Sequence, residues 1–406
     1  MGFNIKQIRS NFPILSQQVY KKPLLYLDNG ATTQKPRVVI DTVRELQESQ
    51  NSSIHRGIHY LSEQMTSRYE AARETVRAFL NATSTNEIIF TSGATGSINA
   101  VAFSFGEKYV HAGDEILISE MEHHSNIVPW QMLCERKGAQ LKVIPFNDNG
   151  ELKLDQLDSL LTKRTKIVAL CHASNSMGTI NPVKEVIEKA HAKGIAVLID
   201  GAQMVQHGEV DVRELDCDFY VFSSHKIFGP TGSGVLYGKE SLLEELPPYQ
   251  GGGDMVDQVS FERTSYNTLP FKFEAGTSNY IGAIGLGVAL EYLHSVGLDK
   301  IAIYEKELSG YALEKLARID RLKIYGNATD RISVFSFLLQ NIHTYDAGLI
   351  LDKMGIAVRT GTHCTQPVMD HFSIDGTIRA SLVFYNTREE IDVLTAGIQK
   401  TMEMLS

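Results

Sequence analysis

The apolar run CDFYVFSS carries the chain into His225 and Lys226, which open the glycine-rich bend IFGPTGSG. Lysine is costly to bury, so a strand that ends in one either reaches solvent or holds its amine for chemistry such as imine formation. On this segment alone the solvated lysine is the simpler reading. Other segments supply partners for it: DGAQ at 200–203 after another apolar strand, TSGAT at 91–95 before a helix, and RTGTHC at 359–364. An amine, a strand-end aspartate, a helix N-terminus suited to an anion and a loop thiol together make a site for covalent chemistry.

Cysteines occur only at 134, 171, 217 and 364, with no CxxC pair and no zinc-like spacing. Neither a disulfide framework nor a structural zinc is therefore expected, and no metal ligands are assigned. Cys134, Cys171 and Cys217 sit in apolar contexts, where cysteine serves as a small inert hydrophobe. Cys364 lies between Gly361 and Pro367 among threonine and histidine, a polar loop in which a thiol can be exposed and reactive.

The elements that must position these groups alternate between strand and helix, which predicts an α/β architecture with a largely parallel sheet. EIIFTSG, DEILISE, QLKVIPF, KIVALCHAS, IAVLIDGAQ and DFYVFSS read as its strands. PVKEVIEKAHAKG at 182–194 is an amphipathic helix with a glycine at its C-cap. PPYQGGGDM and SYNTLPFKFEAGT, within 240–280, read as loops and turns that connect two domains. Beyond 283 come two long helical patterns, the strand-like RISVFSFLL, a helix at 344–355 and strands around AVRTG and TIRASLVFYN, a smaller α+β unit. Thr387 and Glu390 form a capping box on a terminal helix. The first forty or so residues contribute the apolar strand LLYLD and helix-forming turns that fold over the small domain.

Length and composition agree with this outline. A chain of 406 residues with 43% hydrophobic content supports two to three domains and a substantial core. The net charge of −9 argues against a general binder of nucleic acid. No apolar stretch approaches the roughly 20 residues of a membrane span, the amino terminus lacks a signal-peptide core, and Lys6 stands where a Gly2 myristoylation signal needs Ser or Thr. A soluble protein with a cytoplasmic location is the expectation.

SSHK after its apolar strand, DGAQ, EHHSN at 122–126 and RTGTHC resemble the fold-type I pyridoxal-phosphate enzymes of the class V aminotransferase group, and within it the group II, SUF-type cysteine desulfurases. The resemblance runs the length of the chain, through YLDNGATTQKP at 26–36, HRGIHYLS at 55–62, FEAGTSN at 273–279 and SLVFYNT at 381–387. It implies an N-terminal segment (1–25) packed on the small domain, a large pyridoxal-phosphate domain (26–280) and a small α+β domain (281–406) carrying the Cys364 loop.

By that resemblance Lys226 holds pyridoxal phosphate as a Schiff base and afterwards carries protons. Asp200 pairs with the pyridinium nitrogen, Ala202 lies under the ring, and Gln203 bonds the phenolic oxygen. His123 stacks on the other face and shuttles a proton; His124 looks similar, and only the family pattern selects the first. Asn175 bonds the cofactor oxygen or the substrate carboxylate. Thr95 and the amides at the start of its helix bind the phosphate, with Ser223 and His225, and Thr277 arrives from the second subunit of a homodimer. Arg379 clamps the substrate carboxylate, and Arg359 with His55 or Arg56 lines the same pocket.

Cys364 then takes sulfur from L-cysteine as a persulfide, releasing L-alanine. The implied acceptor is a SufE-like or SufU-like protein, and the implied destination is iron–sulfur cluster assembly. The chain departs from the family wording at Ala94, Gly96, Thr362 and Thr365, which leaves the side-chain contact at Ala94 and the acidity and mobility of the cysteine loop open. Selenocysteine lyase acting on L-selenocysteine, cysteine sulfinate desulfinase, another class V enzyme such as an aminotransferase, and a catalytically silent scaffold or sulfur carrier stay as alternatives.

Overall fold

The computed structural model describes residues 3–405. Gly2, the residue of the acylation signal considered above, lies outside them. The larger sheet contains β1 (Ile88–Thr91), β2 (Glu115–Ser119), β3 (Gln140–Ile144), β4 (Thr165–Cys171), β5 (Ala196–Asp200), β6 (Phe219–Ser223) and β7 (Gly234–Gly238), in spatial order β1-β7-β6-β5-β4-β2-β3. The six runs read as strands are present, and β6, β5, β4, β2 and β3 run parallel. The seventh, β7, is additional. It runs antiparallel between β1 and β6, and its two glycines disguise it in the sequence. One of them is required by packing: a Cβ on Gly234 would lie 2.4 Å from the Cα of Gly93.

Helices cover both faces, as a parallel sheet needs. They include α1 (Tyr60–Phe79), α2 (Ala94–Tyr109), α3 (Val128–Lys137), α4 (Val183–His191) and α5 (Tyr280–Val296). Period-two alternation sorts the strand side chains between two cores. Leu117, Val168, Leu170, Val197 and Ile199 join Val76 of α1, Val186 of α4 and Leu290 of α5. Ile116, Ile118, Ile167, Ala169 and Leu198 join Ile98 and Phe105 of α2 and Trp130 of α3. Gly194, with φ +70°, turns the chain beyond the end of α4.

The C-terminal part adds α6 (Leu298–Ala317) and a second sheet of β8 (Leu322–Tyr325), β9 (Val334–Leu339), β10 (Arg359–Gly361) and β11 (Thr377–Ser381), antiparallel in the order β8-β9-β11-β10. Around it lie α7 (Thr344–Lys353), α8 (Gln366–Phe372) and α9 (Arg388–Leu405). The capping box of α9 forms as read: the Glu390 amide donates to Thr387 Oγ1 at 3.3 Å, and the Thr387 amide to Glu390 Oε2 at 3.1 Å. Leu25–Tyr26 of LLYLD pairs in parallel with Ile356–Ala357, and Leu25 and Leu27 enter the core of this part. The preceding helical turn reaches further, with Phe12 packed among Phe228, Tyr292, Phe384 and Tyr385.

Residues 240–280 are more regular than their composition predicts. They hold a helix at Glu240–Glu245 and a hairpin of Val256–Val259 with Thr264–Tyr266, whose strand residues are almost all exposed. A two-stranded ribbon with no buried face leaves no alternation to read. No single helix among the described residues is long and apolar enough to cross a membrane; α5 and α6 meet that test only as a pair bent by 75°.

One buried ion pair ties α1 to the loop before α5. Arg73, with no exposed side-chain surface, donates to Glu274 Oε1 at 2.7 Å and Oε2 at 2.9 Å and to the Ile88 carbonyl at 2.8 Å. Glu274 also accepts the Phe90 amide at 2.7 Å. Removing one member leaves the other charged and unpaired, so Arg73→Ala should cost about 3–5 kcal/mol. A lowered urea midpoint would show this; an unchanged midpoint would mean the pair is dispensable.

Candidate functional site

The parallel strands all end on one edge of the sheet, where α/β folds collect ligands. After β2 comes His123, after β4 Asn175, at the end of β5 Asp200 with Ala202 and Gln203, and after β6 His225 and Lys226. These residues line one cavity of about 230 Å³ together with Ala94, Thr95, Ser223, Arg359, His363, Cys364 and Arg379. The register explains part of the gathering. Cys171 at the tip of β4 lies opposite Asp200 on β5, and Arg359 lies opposite Arg379 across β10 and β11.

Burial perturbs Lys226, Asp200, His123 and His225. Desolvation brings the Lys226 amine down to about 8, although Asp200 favours its charged form and Arg379 opposes it. Desolvation raises Asp200, partly offset by Lys226 and by the Ala202 amide, which donates to Oδ1 at 3.0 Å. Burial first, then Lys226, holds the His123 imidazole near 3, so the ring is neutral at pH 7. Its Nδ1 accepts the Ser125 amide at 3.1 Å, which puts the ring proton on Nε2. His225 is likewise held near 4 by burial and Lys226.

At the other wall, Arg379 donates to the Asn175 carbonyl at 2.9 Å and to Asp28 Oδ1 at 3.1 Å, while its Nε has no partner. Burial lowers its pKa and raises that of Asp28. Gly30 makes room for this fork, since a Cβ there would stand 3.2 Å from the guanidinium carbon. With Arg359 beside it, the wall offers two cations to an anionic ligand.

Gly93 precedes α2 without a side-chain cap, and Ala94 and Thr95 of its first turn line the cavity. The Ala94 amide donates to Ser223 Oγ at 2.8 Å. Neither change, at 94 or at 96, removes a backbone N–H, although that of Ala94 is taken up by Ser223. Gln203 donates from Nε2 to the Gly30 carbonyl at 2.7 Å and retains Oε1 without a partner, so the atom it has left is an acceptor.

The loop bearing Cys364 is tightly held. His363 and Cys364 are both left-handed, with φ of +54° and +59°. Thr365 closes the turn by donating from its amide and its hydroxyl to the Thr362 carbonyl, each at 2.9 Å, so the two threonines brace each other. Asn175 Nδ2 donates to the His363 carbonyl at 2.7 Å.

His55, Arg56 and Thr277 do not line this cavity. His55 Nε2 contacts Glu70 at 3.1 Å, Arg56 pairs with Asp254 at 2.7 Å, and Thr277 is exposed. The single chain forms the pocket without them because these two basic residues are drawn to carboxylates elsewhere. Sequence reading also passed over Lys35, which burial brings down to about 7. It donates to the His225 carbonyl at 3.0 Å, joined there by the Thr33 amide at 3.0 Å and the Thr32 hydroxyl at 3.0 Å. A lysine in the turn NGATTQKP looks solvated, and only the fold reveals that it holds the residue before Lys226.

The arrangement offers a partly deprotonated amine, a buried carboxylate, a helix start without a side-chain cap, two guanidinium groups and the thiols of Cys171 and Cys364 in one pocket. The protein named cysteine desulfurase from Enterobacter sp. (strain 638) is 51% identical over 406 residues, all of both chains. The crystal structure of the cysteine desulfurase CsdA from Escherichia coli superimposes with a TM-score of 0.93 at 38% identity, covering all of both chains. The apo structure of a cysteine desulfurase from Thermococcus onnurineus NA1 gives 0.94 at 35% identity, over 98% of each. Residues 25–394 match the aminotransferase class-V family, and the chain belongs to that family.

Proposed function

We propose that this chain is a pyridoxal-phosphate-dependent cysteine desulfurase of the group II type, converting L-cysteine to L-alanine with transfer of sulfur to Cys364. The observation that carries the reading is the meeting of Lys226 and Cys364 on one small cavity, one from the large sheet and one from the C-terminal part. The cavity's residues fit the cofactor. Lys226 would tether it, Asp200 would face its ring nitrogen, and Thr95, Ser223, His225 and the α2 amides would hold its phosphate. When bound, pyridoxal phosphate supplies an electron sink for the substrate carbon.

The chain's own groups do the rest. Arg379 and Arg359 orient the substrate carboxylate, with Asn175 beside them. Lys226, near neutrality in this pocket, takes and returns a proton at the substrate's α-carbon. The neutral His123 presents its Nε2–H to the cavity. Cys364 as thiolate attacks the substrate sulfur. A sulfur–sulfur bond forms as the carbon–sulfur bond breaks, its electron pair stays with the carbon fragment, and that fragment takes up a proton to leave as alanine.

The same reading includes a homodimer, in which Thr277, exposed on its own chain, would reach the partner's cavity. It assigns the pocket's cofactor side to 26–280 and the thiol side to 281–406, with 1–25 packed against the latter. A separate core of Leu25, Leu27 and residues from 308 onward agrees with a distinct C-terminal unit, although Leu27 joins it from the other side of the boundary and Leu290 packs in the large-sheet core. A SufE-like or SufU-like acceptor and iron–sulfur cluster assembly rest on the resemblance.

Given L-cysteine and a thiol reductant, the holoenzyme should release alanine and sulfide in equal amounts. Pyruvate and ammonia, or no product, would contradict the assignment. Arg379→Ala should lower kcat/KM about a hundredfold, chiefly through KM, because it removes charge-assisted bonds to the carboxylate. Steady-state kinetics on the two proteins would check it; a loss confined to kcat would place Arg379 elsewhere in the reaction.

A further inference from the structure

Two consecutive non-glycine residues in the left-handed region persist only where their surroundings fix them. At His363 and Cys364 the surroundings include an unexpected contributor. The His124 amide donates to the Cys364 carbonyl at 2.8 Å. Its ring Nε2 accepts the Gln366 amide at 3.2 Å, across 242 residues of sequence. One residue thus grips the thiol loop on both sides of Thr365, from a helical turn that follows β2. The acceptor role requires a neutral ring with its proton on Nδ1.

The neighbouring residue gives this contact a consequence. His123 lines the cavity, and its backbone continues directly into His124. Beneath the turn, Glu122 is fully buried and accepts from Asn126 Nδ2 at 2.7 Å and from the Cys171 amide at 2.9 Å. Trp130 Nε1 in turn donates to Asn126 Oδ1 at 2.9 Å. The turn bearing the two histidines is therefore rigidly seated on β4, and a loop bonded to it inherits that position.

We infer that His124 is a positioning residue for the thiol: it locks the Cys364 loop to the His123 turn, so that the nucleophile and the cofactor-facing imidazole share one fixed frame. The inference rests on Cys364 as the nucleophile of the proposed function. The two histidines of EHHSN divide the work. The first faces the cavity, and the second holds the loop that carries sulfur.

The test compares His124→Phe, which keeps the ring's bulk and the backbone amide but removes the acceptor, with His124→Gln, whose Oε1 can accept near the former Nε2. Both are measured as holoenzyme. In H124F, hydrogen exchange of the peptide covering 362–368 should quicken, and kcat for alanine release should fall about tenfold or more, with KM and the cofactor absorbance unchanged. H124Q should restore both exchange and kcat to near wild type. Wild-type exchange and kcat in H124F would overturn the inference, as would equal losses in the two variants. Faster exchange in H124F, with alanine release indifferent both to it and to Cys364→Ala, would support the anchoring and instead overturn Cys364 as nucleophile.

Discussion

Alanine release from L-cysteine should fall about a thousandfold or more when Lys226 is replaced by alanine. The loss has two sources, because the same amine tethers the cofactor and moves a proton at the substrate carbon. The cavity prepares it for both. Desolvation brings the amine to about 8, and Asp200 keeps it from falling further. A sizeable neutral fraction is therefore present near neutral pH, where an exposed lysine would have almost none.

A pH dependence follows with a definite sign. The neutral amine is the nucleophile, so uptake of pyridoxal phosphate by the apoprotein should quicken as pH rises through about 8 and level off above it. Growth of the cofactor absorbance after mixing would report the rate. Uptake independent of pH between 6 and 9, or alanine release by Lys226→Ala at the wild-type rate, would remove Lys226 from its assigned role.

Replacing Cys364 with alanine should have the second large effect, lowering alanine release by about a hundredfold or more while leaving cofactor content and spectrum unchanged. The separation is expected because Cys364 belongs to the C-terminal part, whereas Asp200, Ser223 and Lys226 belong to the large sheet. The Thr362–Thr365 brace and the bond from Asn175 to His363 involve no Cys364 side-chain atom, so the loop should keep its shape in the variant. A variant that loses cofactor together with activity would indicate a structural role for the thiol, and one that releases alanine normally would exclude it as the nucleophile.

The sequence made the architecture legible wherever burial imposes a pattern. Strands such as KIVALCHAS announce themselves because both faces of a parallel sheet are apolar. β7 escaped because GVLYG carries two glycines, and the hairpin within 256–266 because it has no buried face. Of the cavity residues, Lys226 and Asp200 end recognisable apolar strands, whereas His123, Thr95 and Arg379 were picked out by the family resemblance; Lys226, Asp200, His123 and Asn175 end up together because parallel strands share an edge. What the sequence could not display were contacts between distant segments. Lys35 against His225, Gly30 against Arg379 and His124 against Gln366 depend on where loops cross, and no local periodicity encodes that.

The central claim is that sulfur passes from L-cysteine to the Cys364 thiol. The most direct measurement is mass spectrometry of the Cys364 peptide after the holoenzyme is given L-cysteine without reductant and its free thiols are then blocked by alkylation. The account predicts one added sulfur atom on Cys364, absent from Cys134 and Cys217, which are buried away from the cavity, and from Cys171, which lines it but whose thiol is pushed well up by burial and by Glu122. Alanine formed with no sulfur on Cys364, or with sulfur on another cysteine, would contradict it.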